Sequence, residues 1–275
     1  MKKWLTLFGL FLALPLSLAR ADVLVLVHGY MSDARTWSAN GVTNALVANG
    51  WQPAGVLTDA PGGLQRPALP DTLSRRFYSV NLPAEAPLLV QADHLGHLLA
   101  AIRSWHPGER LILAGHSAGG IVARLMLLNG NPYRVDTLVT IASPNLGTGR
   151  AGQALDLVDF NPFFCPGPGL EMFKSALGGD DYEYLRHSRG ALMDLLPEAS
   201  GNLLAWMNRQ PYPDIRYYAV VRMSPDGAGD EVVPAYSQDM NNVPTLRGRV
   251  QGFVTPASHT LNPADGELLA TILAG

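Results

Sequence analysis

Short apolar runs of strand length alternate along the chain with stretches of helical periodicity, and this alternation constrains the fold more than any other feature. "VLVLV" (23–27) is a continuous branched and leucine run, as expected of a strand buried on both faces. Further strands are predicted at 52–57, 75–82, 110–114, 135–143, 215–223 and 248–254. Helical spacing occupies 40–50, 88–105 and 118–129, and a terminal helix follows Asn262, its expected N-cap, with Pro263 in the first turn. Strands separated by helices of this length pair in parallel through right-handed crossovers. The expected architecture is therefore a doubly wound, mostly parallel α/β sheet. The alternation breaks at 144–190, a Gly-, Pro- and Phe-rich insert. A stretch that long is functional or holds further helices.

The first 21 residues stand apart. Lys2 and Lys3 precede the apolar run "WLTLFGLFLALPLSL", and Ala19-Arg20-Ala21 places small residues where a signal peptidase needs them. The run is short for a spanning helix and contains Pro15. Cleavage before Asp22 is expected, leaving 22–275 as a single exported domain, periplasmic or secreted. Without Lys2, Lys3 and Arg20, the 20 basic residues fall to 17, against 23 acidic ones. No basic block survives, which argues against nucleic acid as a partner. Cys165 is the single cysteine, so no disulfide can form within the chain.

"AGHSAGG" (114–120) carries the chemistry. Gly115-His116-Ser117-Ala118-Gly119 fits G-x-S-x-G, and it sits where a predicted strand turns into a predicted helix. The serine of such an elbow occupies a strained turn whose flanking glycines let strand and helix approach. A serine hydroxyl needs a base, and the base an orienting carboxylate. Of the two histidines after Ser117, His187 falls inside the insert, whereas His259 lies between the last strand and the last helix, at the sheet's carboxyl edge. The segment "SPDGAGDEVVPAYS" offers Asp226, Asp230 and Glu231; Asp230 is preferred, and Asp226 reads as a turn residue. An oxyanion hole would use the N–H of Ala118 and that of Tyr30 in "VHGY", with Met31 as the alternative.

Together, "VLVHGYMSDARTW", "LILAGHSAGGIVARLML", "LVTIASPNLGTG", "GDEVVP" and "SHTLNP" resemble the α/β-hydrolase superfamily, on its bacterial lipase and esterase side. The resemblance implies a Ser117–Asp230–His259 triad, an acyl-enzyme mechanism on an ester or lipid substrate, and a cap or lid at 144–190 with transient contact to a lipid interface. Under it, Phe160, Phe163, Phe164, Leu170, Met172 and Phe173 are candidate acyl-chain contacts, or else they simply pack the insert onto the domain. It also makes "ALMDLLPEASGNLLAWMN" (191–208) similar to the helix after the cap. Related secreted lipases place a calcium-binding aspartate two residues after the histidine. Leu261 stands there, so no metal and no cofactor is expected. Arg124 reads as a helix residue in an ion pair. Two alternatives stay open: a thioesterase or acyltransferase using the same triad, and a non-catalytic hydrolase-fold binding or accessory protein.

Overall fold

The computed structural model describes residues 21–60, 64–68, 74–159 and 179–274. The expected leader, apart from Ala21, and all six proposed acyl-chain residues (Phe160, Phe163, Phe164, Leu170, Met172 and Phe173) lie outside the described residues, as does Cys165.

The strands are β1 (Asp22–Val27), β2 (Gln52–Thr58), β3 (Arg75–Asn81), β4 (Arg110–His116), β5 (Val135–Ile141), β6 (Arg216–Arg222) and β7 (Val250–Thr255). They form one sheet in the order β2-β3-β1-β4-β5-β6-β7, and every pairing is parallel. Between them run α1 (Thr36–Ala39), α2 (Val42–Ala48), α3 (Leu88–Trp105), α4 (Ala118–Leu127), α5 (Gly149–Asp159), α6 (Gly179–His187), α7 (Arg189–Asp194), α8 (Leu203–Met207), α9 (Ala235–Gln238) and α10 (Pro263–Ala274).

β1 shows how the core is divided. Side chains alternate across a strand. Val23, Val25 and Val27 accordingly pack with Leu95, Leu99, Ile121 and Val122 of α3 and α4 on one face. Leu24 and Leu26 pack with Leu46 of α2 and Leu269 and Leu273 of α10 on the other. Each fully buried aliphatic side chain contributes about 1.5–3 kcal/mol relative to exposure. Helices on both faces leave the sheet's two rims as the only places where loops can gather.

The predicted strands coincide with the observed ones to within two residues at either end, β4 running on through Gly115 and His116. The helix expected over 191–208 is a correction. The chain there forms α7 and α8, and Pro197 between them lacks the N–H that a continuous helix would need. Asn202 starts α8 instead, accepting from the N–H of Ala205 at 2.9 Å. Within the insert, α5 and α6 supply the helices its composition had concealed. At α10, Asn262 accepts from the N–H of Ala264 at 3.0 Å while Asp265 accepts from the N–H of Asn262 at 2.9 Å, a reciprocal cap.

Candidate active site

Parallel register sets the site. Val27 of β1 lies beside Gly115 of β4, so the next residues on, His28-Gly29 and His116-Ser117, leave the carboxyl rim side by side. Ser117 has φ 51° and ψ −128°, a conformation that ordinary L-residues avoid at a cost of order 1–3 kcal/mol. Two glycines make it attainable. A Cβ on Gly115 would stand 2.5 Å from Gly120 Cα, and one on Gly119 would stand 2.3 Å from the carbonyl oxygen of His28. Neither contact is tolerable, so strand, turn and helix close on each other only with hydrogen at those positions.

The structure brings three distant side chains together at this rim. The His259 ring makes a 2.9 Å hydrogen bond through Nε2 with Ser117 Oγ, and its Nδ1 lies 2.9 Å from Asp230 Oδ2. The Asp230 side chain is wholly buried and that of His259 slightly exposed. Asp230 Oδ1 accepts from the N–H groups of Val232 (2.8 Å) and Val233 (2.6 Å), and Oδ2 also accepts from Gln238 Nε2 (3.1 Å). Burial alone would raise the pKa of this carboxyl. The His259 bond and those backbone donors outweigh burial and hold it below the ordinary carboxylate value. Asp230 is therefore charged, spatially fixed, and aimed at the ring nitrogen opposite the serine.

The neighbouring residues anchor this relay. Glu231 accepts the His259 backbone N–H with both oxygens, at 3.1 and 3.2 Å. Its carboxylate therefore holds the histidine loop rather than the ring. His116 Nε2 donates to the His259 carbonyl at 2.8 Å, and the two rings lie 5.1 Å apart. Burial, helped by the charge His259 can carry, pushes His116 down to about 3, so it stays neutral and keeps that donor tautomer. Gln238 links the acid to β6, because its Oε1 accepts the N–H of Arg222 at 2.7 Å. Sequence reasoning found neither His116 nor Gln238. His116 stood in plain view inside the elbow motif, but nothing in the sequence marks Gln238.

The loop after β1 lies directly against the serine, since a Cβ on Gly29 would be 2.9 Å from Ser117 Cβ. His28 is buried and fixes this loop. Its Nδ1 donates to the Gly29 carbonyl (2.9 Å), and its Nε2 accepts the N–H of Leu82 (3.0 Å). With the Gly29 carbonyl so engaged, the trans peptide turns the N–H of Tyr30 the opposite way. Neither that N–H nor the N–H of Ala118 donates to another group among the described residues. Among the described residues both are thus without an acceptor.

The remaining candidates fall away from this cluster. His187 is exposed on α6 and bonds the Glu183 carbonyl at 2.8 Å. Asp226 is exposed in a turn, accepting from Ser224 Oγ and from the N–H of Ala228. Arg124 corrects the expected ion pair. It is fully buried, and its guanidinium donates to Asn145 Oδ1 (3.1 Å), Asn208 Oδ1 (2.7 Å) and Tyr212 Oη (2.8 Å), lying 5.0 Å from the Tyr212 ring centre. Amide dipoles and a ring face hold this cation. The carboxylate of Glu198 is one step removed, accepting from Asn208 Nδ2 at 3.1 Å.

The fold is the α/β-hydrolase fold, a parallel sheet flanked by helices, and here a strained serine stands at the turn from the central strand β4 to α4. Residues 65–157, which include Ser117, match the family described as PGAP1-like alpha/beta domain. The chain is 38% identical over 65 residues to a GPI inositol-deacylase from Debaryomyces hansenii, a match covering 21% of this chain and only 6% of that much longer protein. Among solved structures, the mature Bacillus licheniformis lipase BlEst2 superposes with a TM-score of 0.58 at 15% identity, over 93% of this chain and 92% of that one. The product of the Listeria innocua gene lin2722 gives a TM-score of 0.60 at 15% identity, over 92% and 94% of the two chains. The metagenomic carboxyl esterase MGS0156 gives 0.53 at 13% identity, over 93% and 75%.

Proposed function

We propose that this chain is a serine carboxylic-ester hydrolase, a lipase or esterase working through an acyl-enzyme. The observation that carries the reading is the unbroken relay Ser117 Oγ–His259 Nε2, His259 Nδ1–Asp230 Oδ2, with both bonds at 2.9 Å. His259 takes the Ser117 proton as Oγ attacks the ester carbonyl. The tetrahedral oxyanion rests on the N–H groups of Tyr30 and Ala118. His259 then protonates the departing alcohol, and a water activated by the same ring releases the acid. Asp230 stabilises the imidazolium between the two proton transfers. The 65-residue likeness to a GPI inositol-deacylase fits a deacylating reaction. A thioesterase or acyltransferase would use the same relay and differ in leaving group or acceptor. Export through the leader at 1–21 belongs to the same proposal.

The experiment is a chain-length series of p-nitrophenyl esters on the mature protein, run beside acyl-thioesters and alcohol acceptors. The reading expects ester turnover that Ser117→Ala abolishes. Thioester turnover far above ester turnover moves the assignment to a thioesterase. No turnover of any acyl donor overturns it in favour of a binding protein.

A further inference from the structure

The oxyanion loop is held from two sides, and the second side is the insert. Ser188, fully buried at the junction of α6 and α7, has its Oγ 2.5 Å from the Tyr30 hydroxyl and 3.3 Å from the Leu185 carbonyl. The carbonyl can only accept, so Ser188 donates to Leu185 and Tyr30 donates to Ser188. The Tyr184 ring meets the Tyr30 ring edge-on, with centroids 5.5 Å apart. Tyr30 is thus gripped by its hydroxyl and by its ring, one turn of α6 apart.

This platform does not float. Asp194, at the end of α7, accepts the N–H of Leu88 at the start of α3 (2.8 Å). The N–H of Thr148 donates to the Leu195 carbonyl (2.9 Å), and the N–H of Glu198 donates to the Leu146 carbonyl (3.0 Å), closing the insert at its base. A Cβ on Gly190 would meet the Pro87 ring at 2.8 Å, so α7 also sits tightly on the turn before α3. The loop it grips does need holding. Met31, next to Tyr30, has φ +52°, where a side chain strains the backbone.

We infer that Ser188, with Tyr184, positions the Tyr30 peptide for oxyanion stabilisation, so that this end of the insert helps set the rate of the chemical step. The inference rests on the serine-hydrolase reading above and deepens it. Its reasoning is geometric. Oxyanion donors work only within a few tenths of an ångström of the developing charge. His28 fixes the Gly29 carbonyl on the core side of the loop. The Tyr30–Ser188 bond fixes the side chain of the residue whose N–H is the donor. Removing one clamp leaves the peptide attached yet free to rotate toward a relaxed φ at Met31. Burial raises both tyrosine hydroxyls, Tyr184 to about 12, so the clamp stays protonated wherever the enzyme works.

The test is a double-mutant cycle in the full chain: Tyr30→Phe, Ser188→Ala and the pair, assayed on a short, water-soluble p-nitrophenyl ester across pH 6–9, with thermal melts alongside. Each single change is expected to lower kcat about tenfold, a fraction of what losing a whole oxyanion donor costs, with KM within about twofold. The pair should lose no more than either single variant, and the shape of the pH profile should not move. Unchanged kcat in Tyr30→Phe overturns the inference. So do losses that multiply in the pair, a rise confined to KM, or a shifted acid limb, which would mean that the clamp acts through His259. Should Ser188→Ala melt below assay temperature, Tyr30→Phe decides alone. Wild-type protein that turns over esters while Tyr30→Phe equals it removes the clamp and keeps the hydrolase. Wild type with no acyl-transfer activity removes both.

Discussion

The two rims of the sheet use charge in opposite ways. At the amino rim, the strands begin with ionic residues that pair across neighbours: Asp22 of β1 with Arg110 of β4 at 2.7 Å, and Asp136 of β5 with Arg216 of β6. These residues, with Arg75, line a cavity of about 370 Å³. The Arg216–Asp136 pair is more than a third exposed on both sides. At the carboxyl rim the Asp230 side chain is fully buried, two histidines are held neutral by burial, and the serine backbone is strained. One rim lets water and counter-charges neutralise its ions. The other withholds water from them, neutralises Arg222 with the buried Asp265 at 2.7 Å, and surrounds Asp230 with directed hydrogen bonds. A site poised to move protons needs the second arrangement, because only there does a small displacement change which group holds the proton.

The largest expected effects therefore sit at the carboxyl rim and fall on rate. Ser117→Ala or His259→Ala should lower kcat by at least about 10⁴-fold in ester hydrolysis, with melting temperature little changed in Ser117→Ala and lowered in His259→Ala, which leaves the buried Asp230 carboxylate without its ring partner. Asp230→Asn keeps the shape but offers His259 a donor where it needs an acceptor. It should cost on the order of 10³–10⁴ in kcat. A steady-state assay at saturating ester checks both. If Asp230→Asn is nearly as active as wild type, the acid has been misassigned and the contrast between the rims weakens.

Gly119→Ala tests the steric half of the comparison. Its Cβ would need to displace the His28 carbonyl from 2.3 Å, parting the oxyanion loop from the elbow. Loss of about 2–3 kcal/mol in urea melts is expected, with at least about a hundredfold loss of activity. Equal stability would mean that the close approach carries no strain.

The rims should also separate by pH. His116 has its pKa depressed from 6.5 to about 3, so the unfolded chain binds a proton that the folded chain refuses. Stability from this group is complete above pH 6.5 and falls as pH drops below it, by up to about 1.4 kcal/mol per unit. At the amino rim, burial would raise the Asp136 carboxyl, but hydrogen bonds from Arg216 and Thr137 outweigh it and leave it below its ordinary 3.8. Its stabilisation holds above that value and fades only as pH falls through the lower folded pKa. Urea melts between pH 7 and 5 should therefore weaken in wild type, less so in His116→Asn, and equally in Asp136→Asn. The smallest effect is Arg216→Ala: under about 1 kcal/mol of stability and no change in kcat, measured by the same melts and assay.

Sequence alone disclosed the elements whose signal is local. β1 and β4 are runs of apolar residues, α3 has unbroken helical spacing, and the elbow glycines announce a close approach. The meeting of Asp230 and His259 was readable because only His187 and His259 follow Ser117 among the histidines, and the segment just after β6 offers Asp226, Asp230 and Glu231 as acids. What stayed hidden depends on tertiary pairing. Gln238 and Asp230 both lie downstream of β6, but only folding turns one side chain onto the other. Ser188 meets Tyr30 across 158 positions of sequence. Arg124 misled because a buried arginine is usually matched with a carboxylate. Here two asparagines and a tyrosine take that place, and no periodicity reveals it. The break between α7 and α8 was signalled by Pro197 but overridden by the resemblance, which implies a single helix there.

The central claim is that Ser117 is a nucleophile because His259 draws on its proton. The direct measurement is covalent labelling by a fluorophosphonate, read by intact mass and peptide mapping. We expect one adduct per chain, on Ser117, absent in Ser117→Ala and slowed by at least about a hundredfold in His259→Ala. An adduct elsewhere, or wild type that labels no faster than His259→Ala, would contradict the account.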